Sequence, residues 1–183
     1  HRDPQQANRL AFSVVTAAFK LLSTVTILGE LFIWLYYGFL ATHDSARFKA
    51  VSVGAGISNW MTYYVNTDIH PFTRQYLNAT PWDDPEIYAR TSPMTYIKSA
   101  KAPTLIQHGA TDQRVPLPNA YELYQGLQDV GVPTKLIVYK GFEGIGHGPS
   151  KPKSSRALME HNREWFDQYL WGSASSSQLP ASR

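Results

Sequence analysis

The sequence predicts an α/β protein with a mostly parallel sheet flanked by helices. Three observations predict it. Short apolar runs end abruptly at turn residues, as buried strands do. A stretch between two of them carries apolar residues at helical spacing. The strand, helix and strand fit within about 35 residues, the size of a βαβ unit whose two strands run parallel.

Composition is consistent with that class. The chain has 183 residues, one domain's worth, and is 43% hydrophobic and 13% aromatic. It can bury a sizeable core, which excludes a mostly disordered protein. Seventeen Lys and Arg against fourteen Asp and Glu leave +3, scattered along the chain, and no clustered basic face for nucleic acid. The sequence has no Cys, which excludes a disulfide scaffold, a thiolate metal site and a cysteine nucleophile, and says nothing of compartment.

Three segments are expected: a divergent apolar start over 1–37, the domain proper over 38–172, and a small-residue, disordered tail over 173–183. Residues 1–9 are polar, and 10–41 are apolar with only Lys20 and Glu30 charged. The run 21–41 is long enough to span a bilayer, but a mid-span carboxylate is costly and Gly29 weakens a helix there. The reading preferred is a buried helix over 10–25 followed by a strand or second helix, leaving a membrane contact conceivable only through 10–41. Arg2 and Arg9 loosely fit a signal peptide, but no A-x-A site follows.

Phe48–Val53 reads as a buried strand ended by Gly54-Ala55-Gly56. Residues 57–100 are rich in aromatics and proline and read as an excursion with short helices near Pro71–Leu77 and Pro85–Tyr88. Thr104–Gln107 is a second strand. Pro118–Val130 is a helix with Ala120, Leu123, Tyr124, Leu127 and Val130 on one face, stopped by Gly131 and Pro133. Leu136–Tyr139 is the third strand, and Ser154–Leu170 a helix whose inner face carries Leu158, Trp165, Phe166 and Tyr169.

Parallel strands place the loops after their C-terminal ends on one sheet edge, where α/β proteins build sites. The loop after the second strand carries His108, Asp112 and Arg114, and the loop after the third carries Gly146-His147-Gly148. Asp112 and His147 are 35 residues apart, yet the βαβ unit brings them close. A carboxylate holding one imidazole N–H orients the ring and stabilises the imidazolium. The alternative is a surface Asp in a turn and a loop His with no partner.

Many segments, in order, closely resemble one family. They are Ser92-Pro93-Met94-Thr95-Tyr96-Ile97, Pro103-Thr104-Leu105-Ile106-Gln107-His108-Gly109, Asp112-Gln113-Arg114-Val115-Pro116, Gly131-Val132-Pro133, Tyr139, Gly146-His147-Gly148, and Glu160-His161-Asn162 through Trp165-Phe166. This pattern resembles the end of the catalytic domain of prolyl oligopeptidase-family serine hydrolases, in the dipeptidyl aminopeptidase and acylaminoacyl peptidase branch. The resemblance implies a partial, truncated α/β-hydrolase fold, with Asp112 as triad acid and His147 as triad base. It implies a serine hydrolase of esterase or peptidase type acting on small esters or acylated short peptides, with no cofactor and no metal.

The departures from the pattern carry expectations of their own. The family's G-x-S-x-G-G elbow falls on Ile33-Trp34-Leu35-Tyr36-Tyr37-Gly38, so the serine position is Leu35, which has no hydroxyl to attack with. Residues 1–37 match nothing upstream in the family. A change of reading frame near residue 36 would account for that, and then another frame of the gene restores a serine elbow. The N-terminal propeller of the family is not in the sequence, so an open site is expected. Glu143-Gly144 reads as an insertion that could move the base. The alternative function is therefore a non-catalytic remnant or interaction module of the same family.

Other serines are weaker candidates for the attacking group. Ala50-Val51-Ser52-Val53-Gly54 fits an A-x-S-x-G elbow, although the resemblance makes Ser52 a buried strand residue; Ser150 and Ser154 have no elbow around them. The six histidines (1, 43, 70, 108, 147, 161) include no i, i+4 pair with a carboxylate for a metal. His108 is expected to be a hydrogen-bonded strand-end residue and His161 a packing residue of the last helix. Asn78-Ala79-Thr80 is a glycosylation triplet, frequent by chance. Trp60, Tyr63, Tyr64, Phe72, Tyr76 and Trp82 either line a substrate pocket or form a satellite core, the core being preferred. A sheet without its early strands exposes an edge, so residues 10–37 folded over it, or a homodimer, are expected.

Overall fold

The computed structural model describes residues 38–144 and 146–172. The expectations for 1–37, including the apolar helix, the strand over the sheet edge and the serine position at Leu35, and for the tail 173–183, lie outside the described residues. Three strands, β1 (Val51–Gly54), β2 (Thr104–Gly109) and β3 (Thr134–Tyr139), form one parallel sheet in the order β1-β2-β3. Val53 sits opposite Ile106, and Ile106 opposite Leu136.

Strand β1 starts later than predicted, because Phe48 follows a short 3₁₀ turn at Ser45–Arg47 and stays 36% exposed. The buried Ser45 hydroxyl accepts hydrogen bonds from the backbone N–H groups of Lys101 and Ala102 at 2.9 and 2.7 Å, fixing that turn to the entrance of β2. Strand β2 is longer than predicted by two residues, taking in His108 and Gly109, and every residue of it is buried. A central parallel strand is covered on both faces, so its polar residues need partners inside the protein.

Between β1 and β2 the chain makes α1 (Trp60–Asn66), α2 (His70–Leu77) and α3 (Pro85–Arg90), then a 3₁₀ stretch at Pro93–Ser99. Asn59 caps α1 by accepting from the Met61 N–H at 2.9 Å, and Asp84 caps α3 by accepting from Ile87 N–H at 3.0 Å, with Pro85 in the first turn. Of the aromatic residues here, Trp60 and Tyr63 are buried, while Tyr76 is 42% exposed on the rim of their cluster. The Trp60 ring packs edge-on against Tyr63 and stacks near Tyr76, which stacks on Phe72. Trp82 departs from the expectation: it is 70% exposed, carried on a turn outside the cluster.

Helix α4 (Pro118–Asp129) joins β2 to β3 and covers one sheet face. Ala120, Leu123 and Leu127 pack there against Val51, Val53 and Ile106, a face set by the two-residue period of the strands and the helical spacing of α4. The last helix, α5 (Pro152–Phe166), lies against the other face, where its Asn162 bonds to Ser52 and Gln107. It ends in a wider turn over Asp167–Trp171, so it stops as a regular helix before the predicted Leu170. Trp165 is its one buried side chain, while Leu158 and Phe166, and Tyr169 in the wider turn, are half-buried. Helices on both faces of a parallel sheet give a three-layer α/β arrangement. Among the described residues no helix is long and apolar enough to cross a membrane.

Candidate active site

The loop leaving β2 folds into a turn closed by its own carboxylate. Asp112 Oδ1 accepts hydrogen bonds from the backbone N–H groups of Arg114 and Val115, both at 2.9 Å. This Asx-type turn fixes the carboxylate side chain, which is 0% exposed, and leaves Oδ2 to face outward from the turn. His147 Nδ1 lies 2.9 Å from that Oδ2, with the imidazole side chain 22% exposed. The predicted pair is thus brought to hydrogen-bond distance, and the Glu143-Gly144 step does not part it.

Backbone contact explains how the two loops come so close. A Cβ on Gly109 would fall 1.9 Å from the Gly146 carbonyl oxygen, and one on Gly146 would fall 2.6 Å from the Thr111 carbonyl carbon. Gly146 also has φ of +73°, a conformation that L side chains rarely adopt. Two glycines at one crossing let the chains touch directly, and His147 follows within one residue.

His108 lies behind the pair, fully buried. Its Nε2–H donates to the Val115 carbonyl at 2.7 Å, so Nε2 carries the proton, and Nδ1 is buried without a partner. Burial pushes its pKa below the ordinary 6.5, outweighing the opposing pull of the Val115 carbonyl and Asp112. With Nε2 at 3.5 Å from Asp112 Oδ2, the neutral ring adds a dipole beside the carboxylate without a full charge. The predicted strand-end role for His108 holds, with the Val115 carbonyl as partner.

A second seam anchors the loop from outside. The Asp68 N–H donates to the Gln113 carbonyl at 3.0 Å, Thr67 Oγ1 donates to the Arg114 carbonyl at 2.8 Å, and Arg114 forms an ion pair with Asp68. Asp68, eight residues after the start of α1, carries no local signal in the sequence of a partner 46 positions away.

Ser52 takes the strand alternative. It stands in the middle of β1 opposite Leu105, and its hydroxyl donates to Asn162 Oδ1 at 2.6 Å. Ser150 Oγ accepts from the exposed Glu143 N–H. His161 lies on α5, 33% exposed, beside Glu164. No three His, Asp or Glu side chains gather into a metal-binding group among the described residues. A cavity of about 450 Å³, lined by Asn59, Met61, Tyr88, Ser92, Met94 and Glu122 among others, includes neither Asp112 nor His147.

Chemically, an imidazole whose Nδ1–H is held by a buried carboxylate presents Nε2 as its basic nitrogen. It can accept a proton there and pass it on while the carboxylate steadies the resulting cation. This is proton-transfer equipment; attack on a substrate needs a further group.

Comparison with known proteins gives a consistent picture. An uncharacterized peptidase of Bacillus subtilis is 32% identical over 142 residues, 74% of this chain and 21% of that protein. The acylamino-acid-releasing enzyme of Arabidopsis thaliana is 26% identical over 159 residues, covering 80% of this chain and 20% of the enzyme. The crystal structure of Pyrococcus horikoshii acylaminoacyl peptidase superposes with a TM-score of 0.59 at 33% identity, over 67% of this chain and 20% of the other. The chain therefore spans about a fifth of the length of these two curated relatives. Its three parallel strands and flanking helices are part of an α/β-hydrolase domain. The sequence pattern of the prolyl oligopeptidase family is matched over residues 35–173, and on that match the chain belongs to this family.

Proposed function

We propose that this chain carries the acid–base half of a serine hydrolase of peptidase type, acting on peptides, acylated short peptides or small esters. The support is one contact: His147 Nδ1 at 2.9 Å from a carboxylate that two backbone N–H groups hold and the protein fully buries. In this reading Asp112 orients His147. An attacking serine transfers its hydroxyl proton to His147 Nε2 as Oγ bonds to the acyl carbon. His147 then returns the proton to the departing amine or alcohol, and water repeats the sequence to release the acid.

The serine is the open member. Leu35 stands at the expected position and has no hydroxyl, and Ser52 is committed to Asn162. That leucine favours a second reading, a non-catalytic member of the family that keeps the pair and the fold. A serine-directed fluorophosphonate, with mass-spectrometric mapping of the adduct, separates the two. The first reading expects one labelled serine, and hydrolysis of a short acyl-peptide or ester that falls by about four to six orders of magnitude in His147→Ala. No adduct, together with hydrolysis indifferent to His147→Ala, would leave the second.

A further inference from the structure

We propose that Tyr139 is a positioning residue for His147, acting through Phe142, and that a chain of hydrogen bonds across the sheet holds it in place. The inference rests on the Asp112–His147 reading above and adds how the imidazole loop is held.

Four polar side chains meet on the sheet face that α5 covers. Tyr139 donates its hydroxyl to Gln107 Oε1 at 2.6 Å, Gln107 Nε2 donates to Asn162 Oδ1 at 2.9 Å, and Ser52 Oγ donates to the same oxygen at 2.6 Å. One residue comes from each strand and one from the helix, so the chain locks β1, β2, β3 and α5 together. Gln107 is 3% exposed, and a buried amide in a central strand without partners would cost on the order of 1–3 kcal/mol. Here it is bonded at both its oxygen and its nitrogen. The Tyr139 hydroxyl is held as a protonated donor, its pKa pushed up to about 12 by burial.

The far side of Tyr139 faces the site. Its ring stacks on Phe142 with centroids 4.9 Å apart and planes 7° from parallel. Phe142, 7% exposed, lies in the turn that leads to His147, and its Cδ2 stands 3.0 Å from where a Gly109 Cβ would be. That is the crossing where Gly109 meets the Gly146 carbonyl. Tyr139 is also the last residue of β3, paired with Gly109, and the Ala110 N–H donates to its carbonyl at 2.9 Å. A displaced Tyr139 ring therefore moves the platform on which the Gly146-His147 loop rests. Position of the imidazole relative to a buried carboxylate decides whether the pair works, because hydrogen bonds weaken steeply with misalignment.

The test reads the pair itself and needs no nucleophile. In isotope-labelled full chain, the Nδ1–H proton of His147 is observed by NMR, identified by its loss in Asp112→Asn and His147→Ala. Tyr139→Phe removes one oxygen and keeps the ring. Phe142→Leu keeps the hydroxyl chain and removes the stack. The proposal expects both to speed exchange of the Nδ1 proton with water at least tenfold, while amides of the β2–β3 ladder keep their protection. It is overturned if both variants leave that exchange unchanged, or if ladder amides accelerate by the same factor, since Tyr139 then serves stability alone. A resonance that is present and insensitive to Asp112→Asn, or missing from the wild-type chain, overturns the Asp112–His147 reading itself and this inference with it.

Discussion

Two buried side chains at the site are tested by different measurements, Asp112 by substitution and His108 by pH. Asp112 satisfies two backbone N–H groups besides orienting His147. Asp112→Asn keeps an oxygen for those donors but can present an N–H to His147, disturbing the ring's tautomer; hydrolysis, on the proposed function, falls about 10⁴-fold with the fold intact. Asp112→Ala leaves both donors unsatisfied and costs on the order of 2 kcal/mol in chemical denaturation besides. His108 gives a pH signature. Its folded pKa is depressed by burial, so above the ordinary 6.5 neither folded nor unfolded chain holds its extra proton. As pH falls below that value, the unfolded chain takes the proton first and stability declines until the folded pKa is passed. Urea midpoints of the wild-type chain should therefore fall as pH drops below about 6.5, and His108→Gln should flatten that part of the profile.

At the scale of elements, the crossing of the β2 and β3 loops is the narrowest fit. Gly109→Ala places a methyl 1.9 Å from the Gly146 carbonyl oxygen, against backbone that cannot rotate away as a side chain would. The two loops must part, and a destabilisation of about 2–4 kcal/mol is expected in denaturant unfolding, with loss of the His147 Nδ1–H resonance. Gly148→Ala is the contrasting case, because nothing lies within 4 Å of its added carbon, and it should stay within about 0.5 kcal/mol of wild type. Helix α4 contributes through its buried stripe. Leu127→Ala, at a position 0% exposed beneath the sheet, should cost about 2–5 kcal/mol by leaving a cavity.

Over the whole described domain, stability is graded from the centre of the sheet outward. All of β2 is buried and pairs on both sides, whereas β3 is only partly buried and α3 is a six-residue helix with one buried side chain. Native-state hydrogen exchange should show the slowest amides in β2, faster ones in β3, and near-solvent rates in the last turn around Trp171, which is 68% exposed. Uniform protection across these elements would contradict that grading.

Much of this was legible without coordinates because its causes are local. Short apolar runs ended by turn residues mark the buried strands, the Ala120–Leu123–Leu127 stripe marks the buried face of α4, and a parallel βαβ unit forces its two C-terminal loops onto one edge, where Asp112 and His147 lie. Strand ends were less legible: β2 runs on through His108 and Gly109 because the neighbouring strand supplies partners that no local propensity reveals. Trp82 looked like the other aromatics and lies in solvent, since only the packed cluster decides which rings have room. The chain Ser52–Asn162–Gln107–Tyr139 joins residues up to 110 positions apart, and Gly109 and Gly146 matter because two backbones touch there. The sequence by itself thus determined the layers of the fold and the pair of residues at its edge. Tertiary structure alone decided their distance and what holds them, because those depend on contacts between segments that the chain order keeps far apart.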